Sequence, residues 1–202
     1  MAPRIAIIYY STFGHIATLA KTIQKGIVSA GGQADLFQLP ETLSEEVLGK
    51  IHAPAKDSSV PFMRVDQLTG YDGFLFGFPT RYGSSPAQFK TFIDATGGLW
   101  AKGSLHGKYA GFFTSTGTPG GGQESTILNS ISILAHHGII YVPLGYANNF
   151  ALLSNLSEVR GGSPWGAGTF AGADGSRQPT KLELELAHIQ GKTFYETLAK
   201  VF

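Results

Sequence analysis

The sequence predicts an α/β fold in which a doubly wound parallel sheet carries helices on both faces, and three observations lead there. Continuous apolar runs recur at Ile5–Tyr9, Gly73–Phe78, Tyr109–Thr114 and Ile139–Val142, as strands buried on both sides require. Between them lie stretches whose apolar residues repeat at helical spacing. Three strand ends run directly into glycine- and hydroxyl-rich segments, at the sheet edge where ligands of such folds bind.

The elements follow in order. After the first strand, Ile16, Leu19, Ala20, Ile23 and Ile27 form one apolar stripe, and Gly31-Gly32 ends that helix because glycine tolerates a left-handed cap. Residues 34–39 alternate as an edge-type strand. Residues 40–70 are more polar, with a short helix expected near 44–50 and irregular chain beyond it. Pro79 stops the next strand, and residues 86–96 form a helix with Phe89, Phe92 and Ile93 on one side. The strand at 109–114 opens into a loop over 115–122. Glu124 to His137 then makes a helix with Ile127, Leu128, Ile131 and Leu134 inward, and Pro143 closes the fifth strand. The Gly-rich stretch 145–179 is too long for a plain connection and reads as an insertion. The last helix begins with Thr180 and Glu183 in capping-box spacing and carries Leu182, Leu186, Ile189, Phe194 and Leu198.

Composition narrows the function. A chain of 202 residues, 43% hydrophobic, is expected to form a single domain over 1–202. A net charge of +1 gives no electrostatic footprint for nucleic acid. The absence of cysteine removes disulfides, thiolate metal sites and thiol catalysis. Without an apolar span or a basic-then-apolar leader, the chain reads as a cytoplasmic protein, at most peripheral at the plasma membrane.

The turn Ser11-Thr12-Phe13-Gly14-His15-Ile16 joins a buried strand to a helix start, so backbone N–H groups and hydroxyls gather where the helix dipole is positive. It holds no Lys or Arg, and the chain lacks both the G-x-x-x-x-G-K-[ST] pattern and a G-x-G-x-x-G after this strand. Such a neutral cradle suits one terminal phosphomonoester, as in FMN. The second segment, Pro79-Thr80-Arg81-Tyr82-Gly83, offers a cation that would stabilise an anionic reduced flavin ring, and an aromatic to cover it. The third, Ser115-Thr116-Gly117-Thr118-Pro119-Gly120, lets backbone approach a planar ligand closely. Adjacent His136 and His137 diverge by about 100° on a helix, which speaks against a metal pair. Asp174 and Arg177 read as structural members of the long loop.

The segments 9–16, 78–83, Thr96-Gly97-Gly98-Leu99-Trp100-Ala101, 115–118, Leu134-Ala135-His136-His137-Gly138 and 172–179 resemble the tryptophan-repressor-binding-protein family of flavodoxin-like NAD(P)H:quinone oxidoreductases, particularly its fungal members. The resemblance implies a sheet ordered 2-1-3-4-5, FMN, a tetramer, and two-electron reduction of quinones by NADH or NADPH. It implies that Ser11 through Ile16 hold the FMN phosphate, that Thr80, Arg81 and Tyr82 line the ring, and that Ser115 through Gly120 wrap its polar edge. His136 would complete the site and polarise the quinone carbonyl, and Trp100 would be the quinone-side aromatic. Phe13 stands where the family has a tyrosine against the nicotinamide nucleotide. Two other classes remain: a one-electron FMN carrier, for which 15 basic and 14 acidic residues give no surplus charge for docking, and a non-catalytic scaffold.

Overall fold

The computed structural model describes residues 2–202. Its sheet has the order β2-β1-β3-β4-β5, built from β1 (Ile5–Tyr9), β2 (Ala34–Gln38), β3 (Gly73–Pro79), β4 (Tyr109–Thr116) and β5 (Ile140–Tyr141), all paired in parallel. A further strand, β6 (Gly168–Phe170), pairs with the end of β4 at Thr114, Ser115 and Thr116. Because β3 occupies the other edge of β4 along its length, β5 and β6 share one row, interrupted by the insertion. The expected fifth strand is therefore shorter than its apolar run, and the insertion contributes a strand of its own.

The pleat sorts β1 between two cores. Ile5, Ile7 and Tyr9 pack with Ile16, Leu19, Ile23 and Ile27 of α1 (His15–Ser29) and with Phe194 and Leu198 of α7 (Lys181–Leu198). Ala6 and Ile8 face the other side, with Phe74, Phe76 and Phe78, Phe89 of α3 (Ala87–Asp94), and Ile127 and Leu134 of α5 (Gln123–His137). Helices thus cover both faces. The two on the first face sit unusually close: a Cβ on Gly26 would lie 2.0 Å from the carbonyl oxygen of His188, and one on Gly191 would lie 2.0 Å from that of Ile23.

Local signals place the ends. Thr180 and Glu183 form the expected reciprocal capping box of α7. Gly31, at φ 87°, follows α1 where the chain leaves the helix. Ser44 caps α2 (Glu45–Lys50), and a 3-10 turn spans Val65–Gly70 within the stretch expected to be irregular. Two more short helices appear, α4 (Gly97–Ala101) and α6 (Phe150–Leu153), and Trp100 sits on the first of them. On α5 the inward stripe holds Thr126 and Ser130 beside Ile127 and Leu134, whereas Leu128 points out, 44% exposed. No described helix is long and apolar enough to cross a membrane.

Candidate functional site

The carboxyl edge of the sheet brings the three segments together around a cavity of about 320 Å³. Ser11, Thr12, Phe13, His15 and Ile16 line it from the first turn, Pro79, Thr80 and Arg81 from the second, and Ser115, Thr116 and Gly117 from the third. A fourth wall, Ala171–Gly175, comes from the chain following β6. The sequence marks Asp174 and Arg177 as structural members of the long loop and leaves this wall out of the site; its signal is the segment 172–179, which carries part of the family resemblance.

In the first turn the amide of Gly14 donates to Ser11 Oγ at 3.0 Å, and Gly14 takes φ 94°, a conformation L side chains rarely adopt. The first intrahelical bond runs from Thr18 N to Gly14 O, so the amides ahead of it have no acceptor within α1. Those donors and the helix dipole point one way, toward an anion.

The Thr12 hydroxyl is engaged within the protein. Tyr10, without exposed surface, donates its phenol proton to the Glu41 carboxylate at 2.9 Å. Its oxygen can then only accept, so the Thr12 hydroxyl donates to it at 3.3 Å and itself accepts from Arg81 Nη2 at 3.1 Å. Arg81 also donates from Nη1 to the carbonyl of Thr80 at 2.9 Å, which fixes its charge at the wall.

The second turn is pinned to its neighbours. Thr80 N donates to Ser115 O at 2.9 Å, the Thr80 and Thr126 hydroxyls meet at 2.7 Å, and Asn129 Nδ2 donates to Gly83 O at 2.8 Å. Tyr82, at φ 54°, projects its whole ring into solvent and does not line the cavity, nor does Gly83. In the third segment Thr118 is turned aside, its carbonyl accepting from Thr116 Oγ1, while Pro119 and Gly120 line a neighbouring cavity with Arg160 and Phe170.

The fourth wall continues the sheet pairing, with Ala171 N on Thr116 O at 2.8 Å and Gly172 N on Gly117 O at 3.0 Å. Asp174 is held below the ordinary carboxylate range by the amide and then the hydroxyl of Ser176. An acceptor-only group there suits ligand hydroxyls rather than a phosphate.

His136 and Trp100 are not part of this cavity. Residue 136 lies about 20 Å along α5 from the helix start, at ~1.5 Å per residue, and α5 runs back from the carboxyl edge toward the opposite one. The two residues meet there in a second cavity of about 270 Å³ with Ile93, Thr96 and Ser132. Trp100 is 57% exposed. His137 packs inward: Thr96 Oγ1 gives its proton to Ile93 O, so it accepts from His137 Nε2 at 2.9 Å, and His137 Nδ1 is buried without a partner. Burial, then the neighbouring His136, lowers the pKa of His137. Among the described residues no cluster suits a metal ion.

The cavity fits FMN. Its volume lies within the ~300–1,000 Å³ typical of cofactor sites, and it joins a neutral amide cradle, a fixed guanidinium and a hydroxyl-accepting carboxylate. Sheet order and site together define a flavodoxin-like flavoprotein. Residues 3–151 match the model of the family described as NADPH-dependent FMN reductase, and the chain belongs to that family. It is 64% identical to NAD(P)H quinone oxidoreductase PST3 of Candida albicans, over 99% of this chain and 100% of that one. It is 63% identical to Protoplast secreted protein 2 of Saccharomyces cerevisiae, over 98% of this chain and 99% of the other. The flavodoxin-type, WrbA-like protein of Agrobacterium tumefaciens shares the fold, with a TM-score of 0.68 at 20% identity over 98% of both chains.

Proposed function

We propose that the chain is an FMN-dependent oxidoreductase that reduces quinones with NADH or NADPH, as the printed name of its Candida relative states for that protein. The observation that carries the reading is the convergence of four backbone segments on one cavity at the carboxyl edge of the sheet. When bound, FMN would supply the two-electron chemistry that couples oxidation of the nucleotide to reduction of a quinone.

The protein binds, orients and balances charge. Ser11 through Ile16 hold the phosphate with backbone N–H groups, and Ser11 Oγ retains its own proton to donate. Thr80 and Arg81 face the ring, Arg81 opposing negative charge that develops there. Ser115, Thr116 and Gly117 meet its polar edge, and Asp174 accepts from hydroxyls. Phe13, 46% exposed at the cavity, stacks on the nicotinamide without the hydrogen bond a tyrosine would give.

Trp100 and His136 serve the quinone from a neighbouring copy of the chain. Their separation from the cavity within one chain, and the exposed indole, support assembly into a tetramer in which one copy completes the site of another.

The experiment is an absorbance spectrum of the purified protein, then bleaching by each nucleotide and turnover of a quinone without a partner protein. Bound FMN, bleaching and sustained turnover are expected. A protein that neither carries nor takes up FMN would sink the reading. Bleaching without turnover would leave a carrier in its place.

A further inference from the structure

A carboxylate remote from the cavity reaches the cofactor site through one arginine. Glu183 has no exposed surface. Its Oε1 accepts from Gly161 N at 2.8 Å and Phe170 N at 3.3 Å, and its Oε2 from Thr169 Oγ1 at 2.7 Å and Thr180 N at 2.8 Å. Arg177 grips both oxygens, Nη1 at 3.0 Å and Nη2 at 3.1 Å, and also donates to the carbonyls of Phe170 and Val159. The buried carboxylate is thus satisfied at both oxygens, and the arginine's charge is balanced in place.

The backbone of Arg177 carries the connection onward. Its amide donates to Ala171 O at 2.9 Å, closing the base of the fourth wall. Its carbonyl accepts from His15 Nε2 at 2.8 Å, across 162 positions of sequence. A carbonyl only accepts, so His15 carries its proton on Nε2. His15 is buried and stands in the phosphate turn. One residue therefore sets both the fourth wall and a side chain of the cradle. The second turn is held by bonds that do not involve Arg177, from Thr80 to Thr126 and from Arg81 to Thr12.

We propose that Glu183, acting through Arg177, is a positioning residue for the phosphate end of the cavity, so that it selects the phosphorylated flavin over its unphosphorylated form. The proposal rests on the FMN reading above. Neither residue touches the ligand; both fix where His15 and Ala171–Gly175 stand when the phosphomonoester arrives.

The test measures dissociation constants of FMN and riboflavin for the full chain and for Glu183→Gln, which keeps shape while removing the charge that holds Arg177. The expected result is FMN affinity lowered tenfold or more, with riboflavin affinity changed less than twofold. A His15→Phe variant should show the same selective loss. Because both substitutions break one connection, the double variant should lose no more than the larger single one. Equal loss for both ligands, no loss for either, or additive losses in the double variant would overturn the proposal. Should Glu183→Gln fail to fold, Arg177→Lys, which keeps a cation but not the two-point grip, carries the same comparison. If the unaltered chain fails to prefer FMN over riboflavin, the phosphate reading itself fails; if it prefers FMN and the variants keep that preference, only this inference does.

Discussion

The phenol of Tyr10 donates to the carboxylate of Glu41 at 2.9 Å, so a side chain with no exposed surface ends on a charge. Burial raises the Glu41 carboxyl, but the amide of Leu43, the phenol of Tyr10, the side chain of Gln88 and the amide of Thr42 together draw it down to about 2. Burial first, and Glu41 with it, pushes Tyr10 up to about 12. The folded carboxyl therefore holds its proton less readily than the unfolded one, whose ordinary value is 4.5. Its stabilisation is complete above that pH and is lost as pH falls toward about 2. Thermal melting followed against pH should show this decline, and Glu41→Gln should flatten it while costing about 1–3 kcal/mol at neutral pH. An unaltered acid slope in the variant would contradict the assignment.

Arg81 is held by Thr12 and by its neighbour's carbonyl, with its guanidinium at the cavity wall. Arg81→Ala should weaken FMN about tenfold and lower the midpoint potential of the bound flavin by about 30–60 mV, the two-electron equivalent of a charged hydrogen bond. Arg81→Lys should restore part of the potential but not the affinity, because an ammonium lacks the planar two-point fit. Reductive titration reads the first quantity and flavin fluorescence the second.

Trp100→Ala and His136→Ala should leave FMN affinity within twofold, since both residues stand at the other edge of the sheet from the cavity. The KM for quinone should rise about tenfold, roughly the loss of one buried aromatic contact. Dilution of the native protein until it dissociates should reproduce the rise. A monomer with full activity would remove the neighbouring copy from the mechanism.

Gly191→Ala tests the close face of the fold. The new methyl would sit 2.0 Å from the carbonyl oxygen of Ile23, a backbone atom that cannot swing aside. A loss of about 3 kcal/mol or more is expected in denaturant unfolding, against Gly49→Ala, in open space on α2, which should cost nothing and gain up to about 1 kcal/mol.

What the sequence disclosed was what neighbouring residues settle among themselves. Thr180 and Glu183 announce a helix start because the capping bonds span three residues, and the Ile-rich run of β1 names a buried strand without reference to anything else. Leu128 misled because Thr126 and Ser130 took the inward stripe. Their hydroxyls bond back to Gly122 O at 2.7 Å and Thr126 O at 2.7 Å, so small polar groups satisfy themselves inside the core. Gly168-Thr169-Phe170 carries no apolar run, and only the edge of β4 makes a strand of it. The three strand-end turns could be brought to one rim by topology alone. His136 could not be placed that way, because the helix that bears it carries it from one rim to the other.

The detour between β5 and β6 leaves the sheet and re-enters it in the same row, so the winding order is indifferent to how long the excursion is. The chain that follows β6 then delivers Ala171–Gly175 to the cavity. The excursion is nevertheless anchored: Leu144 and Leu153 pack with Leu182 and Leu186, and Gly161 N and the Val159 carbonyl bond the Glu183–Arg177 pair, so shortening it would disturb the core and the coenzyme's fourth wall together.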